Sequence, residues 1–98
     1  MGSSKPHMAA SIREIHDIFL HRWDPIGVAG IPEAADEYDS YIYPVYSILR
    51  GTRSKLAIVA YLYRIQTKHM GLSASLWNLW KIAKQLLAID VFHDEPYE

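Results

Sequence analysis

Residues 23–41 read WDPIGVAGIPEAADEYDSY and follow neither the helical nor the strand period of apolar residues. The stretch holds two of the five prolines and two of the five glycines, which disfavour a regular helix or strand at this place. The sequence on both sides has helical periodicity. This segment therefore predicts an irregular connection that divides a first helix from the helices after it.

Helix 1 is predicted over residues 11–23. Ser11 and Glu14 form a capping-box pattern, in which the two side chains pair with backbone N–H groups that a helix start leaves unbonded. Pro25 disfavours helical geometry at Asp24, so the helix should end near Trp23. Apolar residues at three- and four-residue spacing predict its buried stripe: Ile12, Ile15, Ile18, Phe19 and Trp23.

Helices 2 and 3 are predicted over residues 36–50 and 54–70. Pro44 lies inside the first, which predicts either a kink or a helix that begins only shortly before it. Ser54 is a candidate N-cap of the second, and Gly71 a candidate left-handed residue after its end. Helix 3 has a stripe of mainly apolar residues on each of two sides, which is typical of a central helix. The stripes are Leu56, Val59, Tyr63, Gln66 and Met70 on one side and Ile58, Leu62 and Ile65 on the other.

Helix 4 is predicted to start at Ser73 or Ser75 and to end near Ile89. Its expected buried stripe is Leu76, Leu79, Trp80, Ala83, Leu86 and Leu87, with Trp77 at the margin. No segment has a convincing strand pattern. The sequence thus predicts an all-α protein, a compact bundle of about four helices with an irregular Trp-, Pro-, Gly- and acid-rich segment between helices 1 and 2.

The length of 98 residues suits one domain with a single modest core. Residues 1–7, MGSSKPH, are typical of an expression leader, so we expect a single helical domain over residues 8–90 and an acidic tail over residues 91–98. The chain has no cysteine, which excludes disulfides and thiolate chemistry and fits a reducing cytoplasm. No apolar run reaches the length of a membrane span. These features predict a cytoplasmic protein without membrane contact.

Charge is unevenly distributed along the chain. Residues 8–49 contain seven acids and two bases, whereas residues 50–90 contain seven bases and one acid. Such a split can steer a charged partner, or it can bring the two halves together across the fold, which we expect here.

The candidate site is an acidic and aromatic group in and just after residues 23–41. It is called the acidic-aromatic segment below, and its candidate partner-binding residues are Trp23, Asp24, Glu33, Asp36, Glu37, Tyr38, Asp39, Tyr41 and Tyr43. Trp and Tyr are typical interface anchors. The structural alternative, which we favour for the first two residues, has Trp23 plugging the end of the bundle and Asp24 forming an Asx-type turn before Pro25.

Catalytic and metal-binding interpretations of the same residues are weaker. Paired carboxylates such as Asp36 and Asp39 can hold a divalent cation, but they also suit a helix N-terminus, which is the interpretation we favour. His16 and His21 are five residues apart and do not share a helix face. No nucleophile elbow and no phosphate-binding glycine motif occurs. We therefore expect no cofactor, no metal and no catalytic residues.

Helices 3 and 4 allow two other functions. As a helix-turn-helix they would offer Ser73, Ser75, Trp77, Asn78 and Lys81 to a major groove, yet a pI near 6.5 argues against nucleic-acid binding. Their surplus of apolar residues, Trp77 included, could instead form a homodimer face.

Three motifs carry a resemblance to a known family: WDPIG at residues 23–27, DEYDSY at 36–41 and MGL at 70–72. With these the chain resembles a family of small bacterial all-α proteins to which we can assign no reaction. A looser similarity links it to immunity proteins that block bacterial toxins. The tyrosines at 41, 43 and 46 depart from the aliphatic pattern expected after DEYD.

Our first hypothesis is a non-enzymatic cytoplasmic protein-binding module. Its acidic-aromatic segment would bind another protein, for instance a basic toxin or nuclease, by electrostatic complementarity. The alternatives are a small metal-dependent or acid/base enzyme using Asp24, Asp36 and Asp39, and a homodimeric structural or DNA-binding protein using helices 3 and 4.

Overall fold

The computed structural model describes residues 6–91, which form an all-α bundle of four helices without a strand in that range. The predicted fold class is confirmed. Two of the helices end in a π-helical turn, and two short 3-10 turns lie in the irregular connection. In chain order the elements are α1 (Pro6–Ile18) with its π turn (Phe19–Trp23), 3-10 turns at Pro32–Ala34 and Asp39–Tyr41, α2 (Ile42–Arg50), α3 (Lys55–Arg64) with its π turn (Ile65–His69), and α4 (Leu76–Leu87).

Helix α1 begins five residues earlier than predicted, at Pro6 rather than Ser11. Proline suits a first helical turn because its missing N–H has no partner to lose there, and Met8, Ala9 and Ala10 are compatible with helix. Ser11 is consequently an interior residue, buried against the core, and the predicted cap is wrong. The expected end is confirmed: the N–H of Asp24 donates to the carbonyl of Phe19 at 2.8 Å, and Asp24 takes a left-handed φ of 32°.

Helix α2 starts at Ile42, so the second of the two expectations for Pro44 is correct. Pro44 lies in the first turn, where its missing N–H breaks no intrahelical bond. Residues 36–41, which we expected to be helical, form turns and a 3-10 segment instead. The boundary therefore follows the proline more closely than it follows the apolar period.

Serine caps start α3 and α4, as predicted. The Ser54 hydroxyl accepts from Ala57 N–H at 3.0 Å, and the Ser75 hydroxyl, the second of the two candidates, accepts from Asn78 N–H at 3.2 Å. Gly71 has the expected left-handed backbone, with φ of 68°, and Leu72 N–H folds back to the carbonyl of Gln66. A cap of this kind ends the π turn and directs the chain into α4.

Arg53 fixes the opposite end of the bundle. Its guanidinium donates to the carbonyls of Leu49 at 2.9 Å and Leu87 at 2.8 Å, near the C-termini of α2 and α4. A cation is favourable at these ends because the last carbonyls of a helix carry partial negative charge. The left-handed φ of 55° at Arg53 accompanies this arrangement.

The core corrects the predicted stripes of α3 and α4. Leu56 and Tyr63 on α3, and Leu76 and Trp80 on α4, were expected inside and are exposed. The buried positions lie on neighbouring faces, and Ile82, absent from the prediction, is among them. The described core consists of Ile15, Phe19, Leu20, Trp23, Tyr38, Ile42, Val45, Tyr46, Leu49, Ile58, Val59, Leu62, Ile65, Leu79, Ile82, Ala83, Leu86, Ile89 and Val91.

Candidate functional site

Asp24 is the centre of a hydrogen-bond network that shapes the turn after α1. One carboxylate oxygen accepts from Val28 N–H at 2.8 Å and from the Tyr38 hydroxyl at 2.8 Å, and the other accepts from Ala29 N–H at 3.2 Å. The Tyr38 hydroxyl in turn accepts from Ile26 N–H at 3.0 Å. The hydrogen bonds from backbone N–H groups are those that an Asx-type turn predicts. The hydrogen bond from Tyr38 was not predicted.

The network perturbs both of its ionisable groups. Partial burial opposes ionisation of Asp24, but hydrogen bonds led by those from Val28 N–H and the Tyr38 hydroxyl outweigh it and lower the pKa of the carboxyl. Burial raises the pKa of Tyr38 to about 12, with the hydrogen bond to Asp24 and its negative charge acting in the same direction. Asp24 is held as a carboxylate and Tyr38 as a neutral hydroxyl, so neither is poised for proton transfer near neutral pH.

Trp23 is a core residue. Its ring packs 5.0 Å from Phe19 and 5.5 Å from Tyr38, measured between ring centroids, and it is 5% exposed. The indole N–H donates to the Gln66 side-chain oxygen at 2.9 Å, and the Gln66 amide donates to the carbonyl of Ser73 at 2.8 Å. Gln66 thereby links the end of α1 to the connection between α3 and α4, a role the sequence did not reveal.

The structure thus divides the acidic-aromatic segment. Trp23 and Tyr38 are buried, and Tyr41 is half-buried with its ring edge-on to Trp23, so these aromatic side chains serve the core more than a surface. These rings pack against one another and Trp23 also packs against Phe19, so they are not available to the exposed recognition surface that the sequence predicted. The exposed remainder of the segment is Glu33, Asp36, Glu37, Asp39 and Tyr43.

The three carboxylates of the enzyme hypothesis have separate surroundings. Asp24 is bonded within its turn, Asp39 lies 2.9 Å from the Nδ1 of His16, and Asp36 is exposed. Within residues 6–91, no three His, Cys, Asp or Glu side chains are grouped so that they could hold a metal ion. The geometry therefore offers no assembled acid/base or metal centre at these positions.

An exposed apolar surface lies elsewhere, on α3 and α4. Trp77 is 74% exposed, Leu56 68% and Leu76 59%, while Tyr63 and Trp80 are each 42% exposed. These five residues are called the α3–α4 apolar face below. Large apolar side chains are usually buried, and a contiguous exposed group of them typically marks an interaction site.

A groove runs along this face. It is an open concavity of about 470 Å³, and the surface exposed inside it is almost entirely apolar. The side chains that line it come from α3 and its π turn, with one from the start of α4: Leu56, Val59, Ala60, Tyr63, Arg64, Thr67, Lys68 and Leu76. A shallower depression beside it is lined by Leu76, Trp77 and Trp80, so the two concavities share Leu76.

Trp80 is held by a cation. The Lys55 ammonium lies 4.9 Å from the centroid of the Trp80 ring, within the range of a cation–π interaction. This contact joins the starting turn of α3 to the middle of α4 and orients one aromatic side chain of the face. Trp77, three residues before Trp80 on α4, is left in solvent.

The connection between α3 and α4 differs from that of a helix-turn-helix. It covers residues 70–75, six positions, against roughly three to four in the DNA-binding motif. Ser75, one of the residues offered for base contacts, uses its hydroxyl to cap α4. The α3–α4 pair is therefore an ordinary corner of the bundle.

Comparison with known proteins gives no relative: no family model, no curated protein and no solved structure matches the chain. Among the described residues, none of the helices combines the length and apolar character needed to cross a bilayer.

Proposed function

We propose that the protein is a non-catalytic module that binds another protein through the α3–α4 apolar face. The observation that carries the proposal is the exposure of Trp77 beside Leu76, which also lines the apolar groove with Leu56. Tryptophan and tyrosine dominate the binding energy of protein interfaces, usually from the centre of an apolar patch. The groove beside Leu76 supplies the concave surface that a partner's side chains would fill.

A cellular setting in the cytoplasm agrees with this proposal, because a chain without cysteine needs no oxidising compartment.

A second candidate function uses the exposed acids. Glu33, Asp36 and Glu37 lie together on the irregular connection and are exposed, so they could attract a basic partner such as a toxin or nuclease. Tyr43 is the exposed aromatic residue of that region, 58% accessible. This immunity-type function has a specific surface, but one with fewer aromatic anchors than the α3–α4 apolar face.

Affinity capture from the organism that encodes the chain separates the two surfaces. Trp77→Glu and Tyr43→Lys are matched variants, since each puts one charged group in place of a strongly exposed aromatic side chain, and the lysine would repel a basic partner. We expect Tyr43→Lys to retain the wild-type partner and Trp77→Glu to lose it. Loss with Tyr43→Lys and retention with Trp77→Glu would instead support the acidic surface and overturn the proposal. Circular dichroism of both variants checks that the helices are intact.

A further inference from the structure

The α3–α4 apolar face lies in a part of the chain that contains no carboxylate. Residues 51–89 include six lysines and arginines and neither aspartate nor glutamate. Side chains at positions three or four residues away on the same helix, where an acid would neutralise a lysine, are therefore uncharged or basic. Within residues 6–91, none of Arg64, Lys68 and Lys81 forms an ion pair, so their positive charge is available to an external group.

The cations stand at the edge of the apolar face. Arg64 and Lys68 line the groove itself, and Lys55 lies over the Trp80 ring. Lys81 follows Trp77 by four residues and so shares its side of α4. An apolar centre surrounded by positive charge is complementary to a segment with an apolar stripe and acidic flanks.

The length of the groove indicates which kind of partner segment can fit in it. Its lining on α3 and the following π turn extends from Leu56 to Lys68, a rise of twelve residue steps, or about 18 Å at 1.5 Å per step. This length matches roughly three turns of a second helix laid along it. A helix in a groove inserts side chains at positions i, i+3 or i+4, and i+7, which three turns provide.

We propose that the partner segment is an acidic amphipathic helix that lies in the α3–α4 groove. The inference rests on the proposed function, to which it adds the chemical class of the partner. The apolar stripe of this helix contacts Leu56, Tyr63 and Trp77, and its acidic flanks face Arg64 and Lys68.

Two other occupants fit less well. A second copy docked symmetrically by the same face would bring the two positively charged edges together, because a two-fold interface pairs each patch with itself. An anionic membrane would satisfy the charges and the tryptophans, but it has no side chains of defined spacing to fill a groove. A peptide helix satisfies both the charge and the concave shape.

The test is a displayed library of helical peptides with a fixed apolar stripe and solvent-facing positions randomised among Glu, Lys, Gln and Ser. We expect clones enriched on the wild-type protein to be acidic and to lose binding to Trp77→Glu.

The double variant R64E/K68E should bind a selected acidic clone about tenfold or more weakly than the wild type does, and added salt should weaken the clone's binding to the wild type. The matched control R13E/R22E reverses two exposed cations on α1 and its π turn, and should leave the affinity unchanged.

The outcomes separate this inference from the proposed function. Clones that need Trp77 but are neutral or basic would overturn the acidic helix and leave the binding module standing. An enriched pool with no dependence on Trp77, or no enrichment, would overturn the acidic helix, while the capture experiment decides the module independently. The inference is also overturned if the protein pelleted with phosphatidylserine vesicles through Trp77 while no clone was enriched, or if light scattering showed a dimer that Trp77→Glu abolished.

Discussion

The acidic-aromatic segment and the α3–α4 apolar face use aromatic residues in opposite ways. In the segment, Trp23 and Tyr38 are buried and hydrogen-bonded, and they hold a turn in place. On the face, Trp77 and Trp80 are exposed on a regular helix. The more unusual sequence therefore belongs to the scaffold, and the plainer helical sequence carries the exposed surface that we propose binds a partner. Distinctive residues mark demanding local chemistry, which can be structural as readily as functional.

The largest expected effect is on the buried side of this comparison. Replacing Trp23 by Ala removes a ring packed against Phe19 and Tyr38 and leaves Gln66 without its indole donor. We expect the free energy of unfolding to fall by about 3–5 kcal/mol, because a large buried ring leaves a cavity. Urea denaturation measures it. An unchanged midpoint and slope would show that Trp23 is not a core residue.

The next effect concerns the Tyr38 hydroxyl. Phe at this position keeps the ring but removes both the bond to Asp24 and the acceptor for Ile26 N–H. Leaving partly buried groups unpaired should cost about 1–3 kcal/mol. Tyr43→Phe is the control. The Tyr43 side chain is exposed, so removing its hydroxyl should change the free energy of unfolding by less than about 0.5 kcal/mol. Equal results for the two variants would contradict the network described around Asp24.

Stability should also depend on pH through the same pair. The lowered pKa of Asp24 gives a stabilisation that is present above the unfolded carboxyl pKa of about 4 and is lost as the pH falls through the folded value. The pKa of Tyr38, raised to about 12, gives a stabilisation present below about pH 10 and lost as the pH rises toward 12. Melting temperatures across pH should show both losses. Asp24→Asn should flatten the acid side and Tyr38→Phe the alkaline side, and a variant profile parallel to wild type would count against that group.

The smallest effect on stability is expected on the exposed face. Trp77→Ala should change the free energy of unfolding by less than about 0.5 kcal/mol, since the ring is largely in solvent. Measuring Trp77→Ala and Trp23→Ala in the same denaturation series distinguishes an exposed tryptophan from one that stabilises the core. A loss comparable to that of Trp23→Ala would mean that Trp77 supports the fold.

Much of the fold could be predicted from local signals. Each of these signals depends on one or two neighbouring residues. They are the helix starts at Ser54 and Ser75, the left-handed backbone at Gly71 and the end of the first helical segment at Asp24. The burial of Trp23 also followed from the stripe of helix 1. These features are local, so the sequence carries them directly.

The rotation of α3 and α4 could not be predicted in the same way. On α4, Leu76 and Trp80 share the apolar period as well as Leu79 and Ile82 do, and only packing against the other helices decides which set is buried. The pairing of Asp24 with Tyr38 spans fourteen residues across an irregular connection, and that of Trp23 with Gln66 spans forty-three. No period links such positions, and the sequence identifies Gln66 only as a member of the helix 3 stripe.

The most direct test of the account observes both regions at once. The three tryptophan indole N–H groups give separate signals in a ¹⁵N–¹H correlation spectrum, and an acidic helical peptide selected on the α3–α4 face can be titrated into the labelled protein. We expect the Trp77 signal to shift strongly and the Trp80 signal to shift with it, while the Trp23 signal, bonded to Gln66, stays in place. A shift of Trp23 with Trp77 unmoved would contradict the division of the molecule into a scaffold around the buried Trp23 and Tyr38 and a proposed binding face on α3 and α4.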